Sequence, residues 1–333
     1  GEESRYIKQL ELDFNAEVKR YVVKSEIIKS EEASEIVKTA EDIQKIRSCM
    51  LSASALQNYL TCPARFYYSK VCGLSKEQEV AEFLDGGAIG TVFHETMQQL
   101  YSRPDGKLTA AYLKSLSDDV IKDRVRQNIL DTLHTFEVTG RNIIFEDMVC
   151  KYVRKIVQMD LGQLEDSGRG CFEILGLEKK EITAIDGFNF VGYVDRIDSI
   201  SPGEIRIIDY KTGKVKDEDF VINEGNAQEV VDALFGDDNS KRPKIALQLY
   251  LYDRIVAADR DFAWNKMVNS IYQPMRMFVS GVEIVELSPR FNSLMDEKLS
   301  GLLAELVDPE TPFRRIEQGP VCDNCDFKII CGR

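Results

Sequence analysis

FEILGLEKKEITAI (172–185), FNFVGYVDRIDSI (188–200) and EIRIIDYKTG (204–213) follow one another with only Asp186-Gly187 and Ser201-Pro202-Gly203 between them. Each segment has the length and apolar alternation of a strand, and both separators are strong turn signals, so the reading is an antiparallel meander. Residues two apart on a strand share a face, which puts Ile205, Ile207, Asp209 and Lys211 in one row and Ile208 and Tyr210 in the other. The neighbouring strand supplies Val191, Tyr193, Asp195 and Ile197 as a row, bringing Asp195 opposite Asp209. Two carboxylates so placed repel each other, and a divalent cation that favours hard oxygen ligands, Mg²⁺ or Mn²⁺, relieves the repulsion. A structural ion pair of either carboxylate with Lys211 is the simpler alternative.

Outward from the meander, Gly86, Gly87 and Gly90 precede a helical pattern with Phe93, Met97, Leu100 and Tyr101 on one face, and helices are predicted through most of residues 108–165. Beyond the meander, KIALQLYLYDRIVAA (244–258) reads as a helix opened by Pro243. Two strands (268–279 and 281–288) and a helix from Pro289 to Leu306 follow. The order of elements implies one α/β domain around a mixed β-sheet flanked by helices, with a helical insertion. Upstream, residues 2–24 alternate loosely and are expected to form strand. Residues 30–47 carry Ile36, Val37, Ile43 and Ile46 at helical spacing. In LSASALQNYLTCPARFYY (51–68), Ser52 or Ser54 caps a short helix that Pro63 ends or restarts. Phe66, Tyr67 and Tyr68 there suit either buried core or the stacking of bases.

Composition sets limits. The 333 residues are 44% hydrophobic and 30% charged, which excludes disorder as the main state. No apolar run approaches the roughly 20 residues of a membrane helix, and the first ten residues lack the apolar section of a signal peptide. The expected location is cytoplasmic, with no membrane partner. Gly at position 1 suggests a piece of a longer protein. The net charge of −13 argues against a surface coated with basic residues, but eight acidic residues between Asp217 and Asp238, unaccompanied by Lys or Arg, supply most of it. The GxxxxGK[ST] phosphate loop is absent, so no ATP site of that kind is expected. Of eight cysteines, Cys322, Cys325 and Cys331 form C-x2-C-x5-C near the end. Three thiolates at that spacing suit zinc or an iron-sulfur cluster, with a fourth ligand from elsewhere.

Gly90-Thr-x2-His94, Gly192-Tyr-Val-Asp195-Arg-Ile-Asp198, Asp209-Tyr-Lys211-Thr-Gly213 and Gln248-x3-Tyr252 together resemble the RecB-like branch of the PD-(D/E)XK nucleases. Residues 51–68 are similar to the start of that family's nuclease domain. Cys62-Pro63 with the terminal cysteines is similar to its iron-sulfur members, with AddB-type domains nearest in pattern. The resemblance spans residues 51–333, leaving 1–50 as a leader or the end of a preceding domain, and implies a restriction-endonuclease-like core.

Carried over by position, the resemblance makes His94, Asp195 and Asp209 ligands of Mg²⁺ or Mn²⁺, with the Tyr210 carbonyl also available, and Lys211 the catalytic lysine. Glu178 matches the family's early glutamate, although Glu181 lies on the same segment. Gln248 and Tyr252, four apart on one helix face, position the scissile strand or brace Lys211. Cys62, Cys322, Cys325 and Cys331 would hold a structural [4Fe-4S] cluster, with zinc the less favoured occupant.

The implied activity is metal-dependent hydrolysis of DNA, an exonuclease acting on single-stranded ends, next to a helicase domain or subunit of a recombination or repair helicase-nuclease. Lys211 would orient or deprotonate the attacking water, or neutralise developing charge. The alternatives are a catalytically silent DNA-binding scaffold of the same fold and a stand-alone nuclease of the CRISPR-adaptation type.

Overall fold

The computed structural model describes residues 5–14, 17–19, 35–75, 83–258, 266–276, 278 and 282–332. The chain divides into two compact units, residues 34–317 and residues 1–33 with 318–333. In the smaller unit, α1 (Arg5–Phe14) is a helix where alternation suggests strand. Tyr6, Leu10 and Phe14 recur every four residues, and that period, not the looser alternation, governs the backbone. Residues 2–4, 15–16 and 20–24, part of the same expectation, lie outside the described residues.

The larger unit begins with β1 (Glu35–Ile36) and α2 (Ala40–Ser48). A capping box fixes the start of α2, the Thr39 hydroxyl accepting from the Asp42 amide while the Asp42 carboxylate accepts from Thr39 N–H. The helix expected over 30–47 is therefore confined to its second half among the described residues. After β2 (Met50–Leu51), α3 (Ala53–Thr61) is capped by Ser52 and ends at Cys62, and Pro63 restarts the chain as α4 (Pro63–Phe66). Phe66 and Tyr68 are buried, and Phe66 stacks on Phe313 of the short strand β9 (Phe313–Arg314), which pairs antiparallel with β1. These aromatics are core.

One mixed sheet organises the unit. Its order is β3 (Lys107–Thr109), β4 (Cys171–Ile185), β5 (Phe188–Ser199), β6 (Glu204–Tyr210), β7 (Lys266–Tyr272) and β8 (Glu283–Val285), with β2 joining β5 in parallel. β4, β5 and β6 form the expected antiparallel meander, and β6 and β7 run parallel. On one face lie α5 (Gly86–Tyr101), α6 (Ala110–Ser115), α7 (Asp118–Leu133) and α8 (Asn142–Ser167), sharing an apolar cluster with Ile208, Tyr210 and Tyr272. On the other, α9 (Ala227–Phe235), α10 (Lys244–Ala258) and α11 (Pro289–Leu306) pack with α3, and α10 covers Ile205 and Ile207. The faces of Ile205/Ile207 and Ile208/Tyr210 are thus opposite, as the alternation of β6 requires.

β5 departs from that regularity. Val194 and Ile197, three residues apart, lie in the same apolar cluster under α10, which an unbroken strand cannot arrange. A Cβ on Gly192 would stand 2.9 Å from Ile255 Cδ1 and 3.3 Å from the Tyr252 ring, so glycine is what lets α10 approach. The side-chain alternation therefore changes phase at Asp195, and the simple row Val191–Tyr193–Asp195–Ile197 does not hold along its length. Among the described residues no helix is long and apolar enough to cross a membrane.

Candidate active site

Five elements, β4, β5, β6, α5 and α10, bring the site together. β5 ends its irregular stretch at Asp195, and extension of the β4–β5 register places Glu178 across from it, between the pairs Leu177–Arg196 and Lys179–Val194. Glu178 has φ of +45°, a left-handed backbone inside a strand. For a residue bearing a Cβ this conformation is strained by about 1–2 kcal/mol, a cost typical of residues aimed at a site. α5 supplies His94, whose Nδ1 lies 3.0 Å from Glu178 Oε1 and 3.5 Å from Asp195 Oδ1. Asp195 is held from the other side by the Tyr210 backbone N–H, which donates to Oδ2 at 2.7 Å. The Tyr210 ring turns away from the carboxylates and meets Phe93, His94 and Tyr272 edge-on.

Beside this group, Asp209 Oδ1 accepts from Lys211 Nζ at 3.0 Å and from Gln248 Nε2 at 2.9 Å. The same ammonium donates to Gln248 Oε1 at 3.0 Å, and Gln248 Nε2 donates to the Tyr252 hydroxyl at 2.7 Å. Tyr252 in turn donates to the Tyr193 carbonyl at 2.6 Å. Gln248 thus holds Lys211, and Tyr252 ties Gln248 and α10 to β5. Glu181 turns instead to Lys179.

Charge balance follows from burial. Burial works against the protonated form of His94, but hydrogen bonds to Asp195 and Glu178 outweigh it and raise its pKa to about 10. Asp209 is held above the ordinary carboxylate range by burial, against the pull of Lys211 and with repulsion from Asp195. Burial also disfavours the Lys211 ammonium, yet its pairing with Asp209 keeps it above its usual value.

Among the described residues, His94, Glu178 and Asp195 are the group whose donor atoms all lie within 4.8 Å of one another. One imidazole nitrogen and two carboxylates suit Mg²⁺ or Mn²⁺. Asp209 stands outside that trio, with Oδ2 buried, 2.8 Å from Lys211 Nζ but without a hydrogen bond of good geometry. A buried carboxylate oxygen that has the Lys211 charge beside it but no hydrogen bond can turn to a cation next to the trio, so these residues fit a divalent metal.

Sequence reading misses the support behind the site. Arg196, fully buried, pairs with Asp160 at 2.6 Å and with Asp198, and lies over the rings of Tyr101 and Phe172. Arg206 donates to both oxygens of Asp198 and to Gln163. The signal was in Arg196-Ile-Asp198, but its partner Asp160 comes from the helical insertion, 36 residues earlier.

The cysteines divide between the units. Cys62 caps the end of α3 in the larger one. In the smaller one, Cys322 lies in α12 (Pro320–Asp323), and Cys325 and Cys331 lie in the turns that follow. All-sulfur donors suit a thiophilic centre, but among the described residues the three terminal sulfurs do not form a group within 4.8 Å.

The sequence profile of the PD-(D/E)XK nuclease superfamily matches residues 50–332. The chain belongs to this superfamily. A subunit of the ATP-dependent helicase/deoxyribonuclease of Clostridium perfringens (strain SM101) is 26% identical over 351 aligned positions, covering 84% of this chain and 30% of the relative. Its Clostridium tetani counterpart is 24% identical over 185 positions, covering 49% and 15%. An uncharacterized protein of Rickettsia typhi is 24% identical over 177 positions, covering 50% and 19%. The chain therefore spans less than a third of the length of these relatives. A crystal structure from Eubacterium rectale aligns over 91% of this chain and 93% of its own at 12% identity and a TM-score of 0.41, too distant to bear on function.

Proposed function

We propose that this PD-(D/E)XK nuclease domain is a Mg²⁺- or Mn²⁺-dependent deoxyribonuclease acting on DNA ends, and that it serves as the nuclease part of a helicase-nuclease. The observation that carries the reading is the meeting of His94, Glu178 and Asp195 beside a lysine bound at once to Asp209 and Gln248. His94, Glu178 and Asp195 would hold the ion, with Asp209 and the Tyr210 carbonyl beside them. When bound, such an ion polarises the phosphoryl oxygen and lowers the pKa of a water ligand.

The chain's own groups do the positioning. Lys211 is held by Asp209 and Gln248 but keeps part of its side chain exposed, where its positive charge can meet a phosphate oxygen and offset its developing charge. Gln248 fixes the ammonium against Asp209, and Tyr252 fixes Gln248. Cys62, Cys322, Cys325 and Cys331 are assigned to a structural [4Fe-4S] cluster. The family resemblance and the all-sulfur donor set support that assignment.

The test is cleavage of end-labelled single- and double-stranded DNA with and without Mg²⁺ or Mn²⁺. Wild type should cut only with metal, and Asp209→Ala and Lys211→Ala should lose cleavage at least 100-fold with unchanged circular dichroism. Full activity in either variant refutes the site.

A further inference from the structure

We propose that Tyr193, with Lys180 facing it, is a stacking platform for the nucleotide next to the scissile phosphate of a single-stranded DNA end. The inference rests on the nuclease reading above and adds a substrate contact to it.

Gly192 and Val194 face α10, so Tyr193 between them projects from the other side of the ribbon, where it remains 55% exposed. Its direct cross-strand partner is Lys180, and the next pair outward on that face is half-buried Val191 with Ile182, which is 51% exposed. Directly paired side chains share a face, so an aromatic ring and an ammonium stand side by side on an open surface. Neither side chain forms a hydrogen bond or ion pair among the described residues. Burial in this fold does not account for an aromatic ring left out in this way.

Position supplies the function. Two residues along each strand from the Tyr193–Lys180 pair lie Asp195 and Glu178, which is about 6–7 Å at strand rise. That is the scale of one nucleotide step along an extended chain. With a phosphate at the carboxylates, the adjoining base comes within reach of the Tyr193 ring and the adjoining phosphate within reach of Lys180. The platform is also rigid relative to the chemistry, because the Tyr193 carbonyl is bonded to Tyr252 and through Gln248 to Asp209 and Lys211. Every base has a π-face, so stacking of this kind holds a strand without reading its sequence. A paired base in a duplex has both faces covered by its neighbours, and the platform therefore favours an unpaired end.

The experiment uses fluorescein-labelled single-stranded oligonucleotides bound without divalent metal and read by anisotropy. In a matched series, one abasic residue is moved stepwise along the strand. Tyr193→Ala should weaken binding roughly 10- to 100-fold, and Tyr193→Phe should restore it. One abasic position should penalise wild type by a similar factor and leave Tyr193→Ala unaffected. Lys180→Gln should flatten the salt dependence of log Kd by about 0.7. In cleavage with Mn²⁺, the loss in Tyr193→Ala should fall on KM more than on kcat.

Equal abasic penalties in wild type and Tyr193→Ala, or a failure of Tyr193→Phe to restore binding, overturn the platform and mark the patch as serving another partner. Absence of metal-dependent cleavage in wild type sinks the nuclease reading instead, and the metal-free binding series still decides the stacking.

Discussion

Replacing Asp253 by Asn should remove a pH dependence from the helix that presents Gln248 and Tyr252. Asp253 lies between α10 and β7, its Oδ1 accepting a 2.8 Å hydrogen bond from Asn269 Nδ2. Burial disfavours its ionised form by more than Asn269 and Arg254 favour it, and its pKa is pushed up to about 7 from 3.8. Between those two values the folded chain holds a proton that the unfolded chain has released. Stability therefore falls as pH rises through that window and is level above it. At about 1.4 kcal/mol per pKa unit the ceiling is about 4 kcal/mol. Because the side chain keeps part of its surface in solvent, screening reduces the expected effect to about 2 kcal/mol. Asparagine retains the acceptor for Asn269 and carries no charge at any pH. Asn269 Oδ1, buried without a hydrogen-bond partner, offers its amide an acceptor. Urea unfolding of both proteins at pH 5 and pH 8 is the assay. Asp253→Asn should be the more stable at pH 8, with its advantage shrinking by about 1 kcal/mol at pH 5, because pH 5 to 7 covers only about two-thirds of the window. Parallel pH dependence of the two proteins would refute the argument.

Other outcomes follow from single residues. Glu178→Gly and Glu178→Ala should both lose Mn²⁺ binding by calorimetry, but the glycine variant should be the more stable by about 1 kcal/mol, since only it relieves the left-handed strain. Gly192→Ala should destabilise by about 1–3 kcal/mol in denaturant unfolding and lower cleavage, because its Cβ drives into Ile255 and the Tyr252 ring. Asp198→Ala leaves buried Arg196 and Arg206 short of a counter-charge and should cost about 3–5 kcal/mol by the same measurement. Anaerobically purified protein should be brown with about four iron per chain, and Cys322→Ser should lose the iron while Cys171→Ser keeps it.

The local part of the design is legible in the order of residues alone. Turn residues at 186–187 and 201–203 delimit the meander, alternation separates Ile207 and Asp209 from Ile208 and Tyr210, and four-residue spacing puts Gln248 and Tyr252 on one helix face. Each of these depends on neighbours a few residues apart, so backbone period is enough to read them. Which glutamate enters the site was left to the folded chain. Glu178 and Glu181 are equivalent as sequence, but the strained backbone at Glu178 turns it to His94, 84 residues away, while Glu181 turns to Lys179. Folding also broke the alternation at Asp195, seated α10 on Gly192, and buried Arg196 against Asp160 from the insertion. These are contacts between elements distant in the chain, settled by packing and charge compensation in the folded interior, where no local period carries the information.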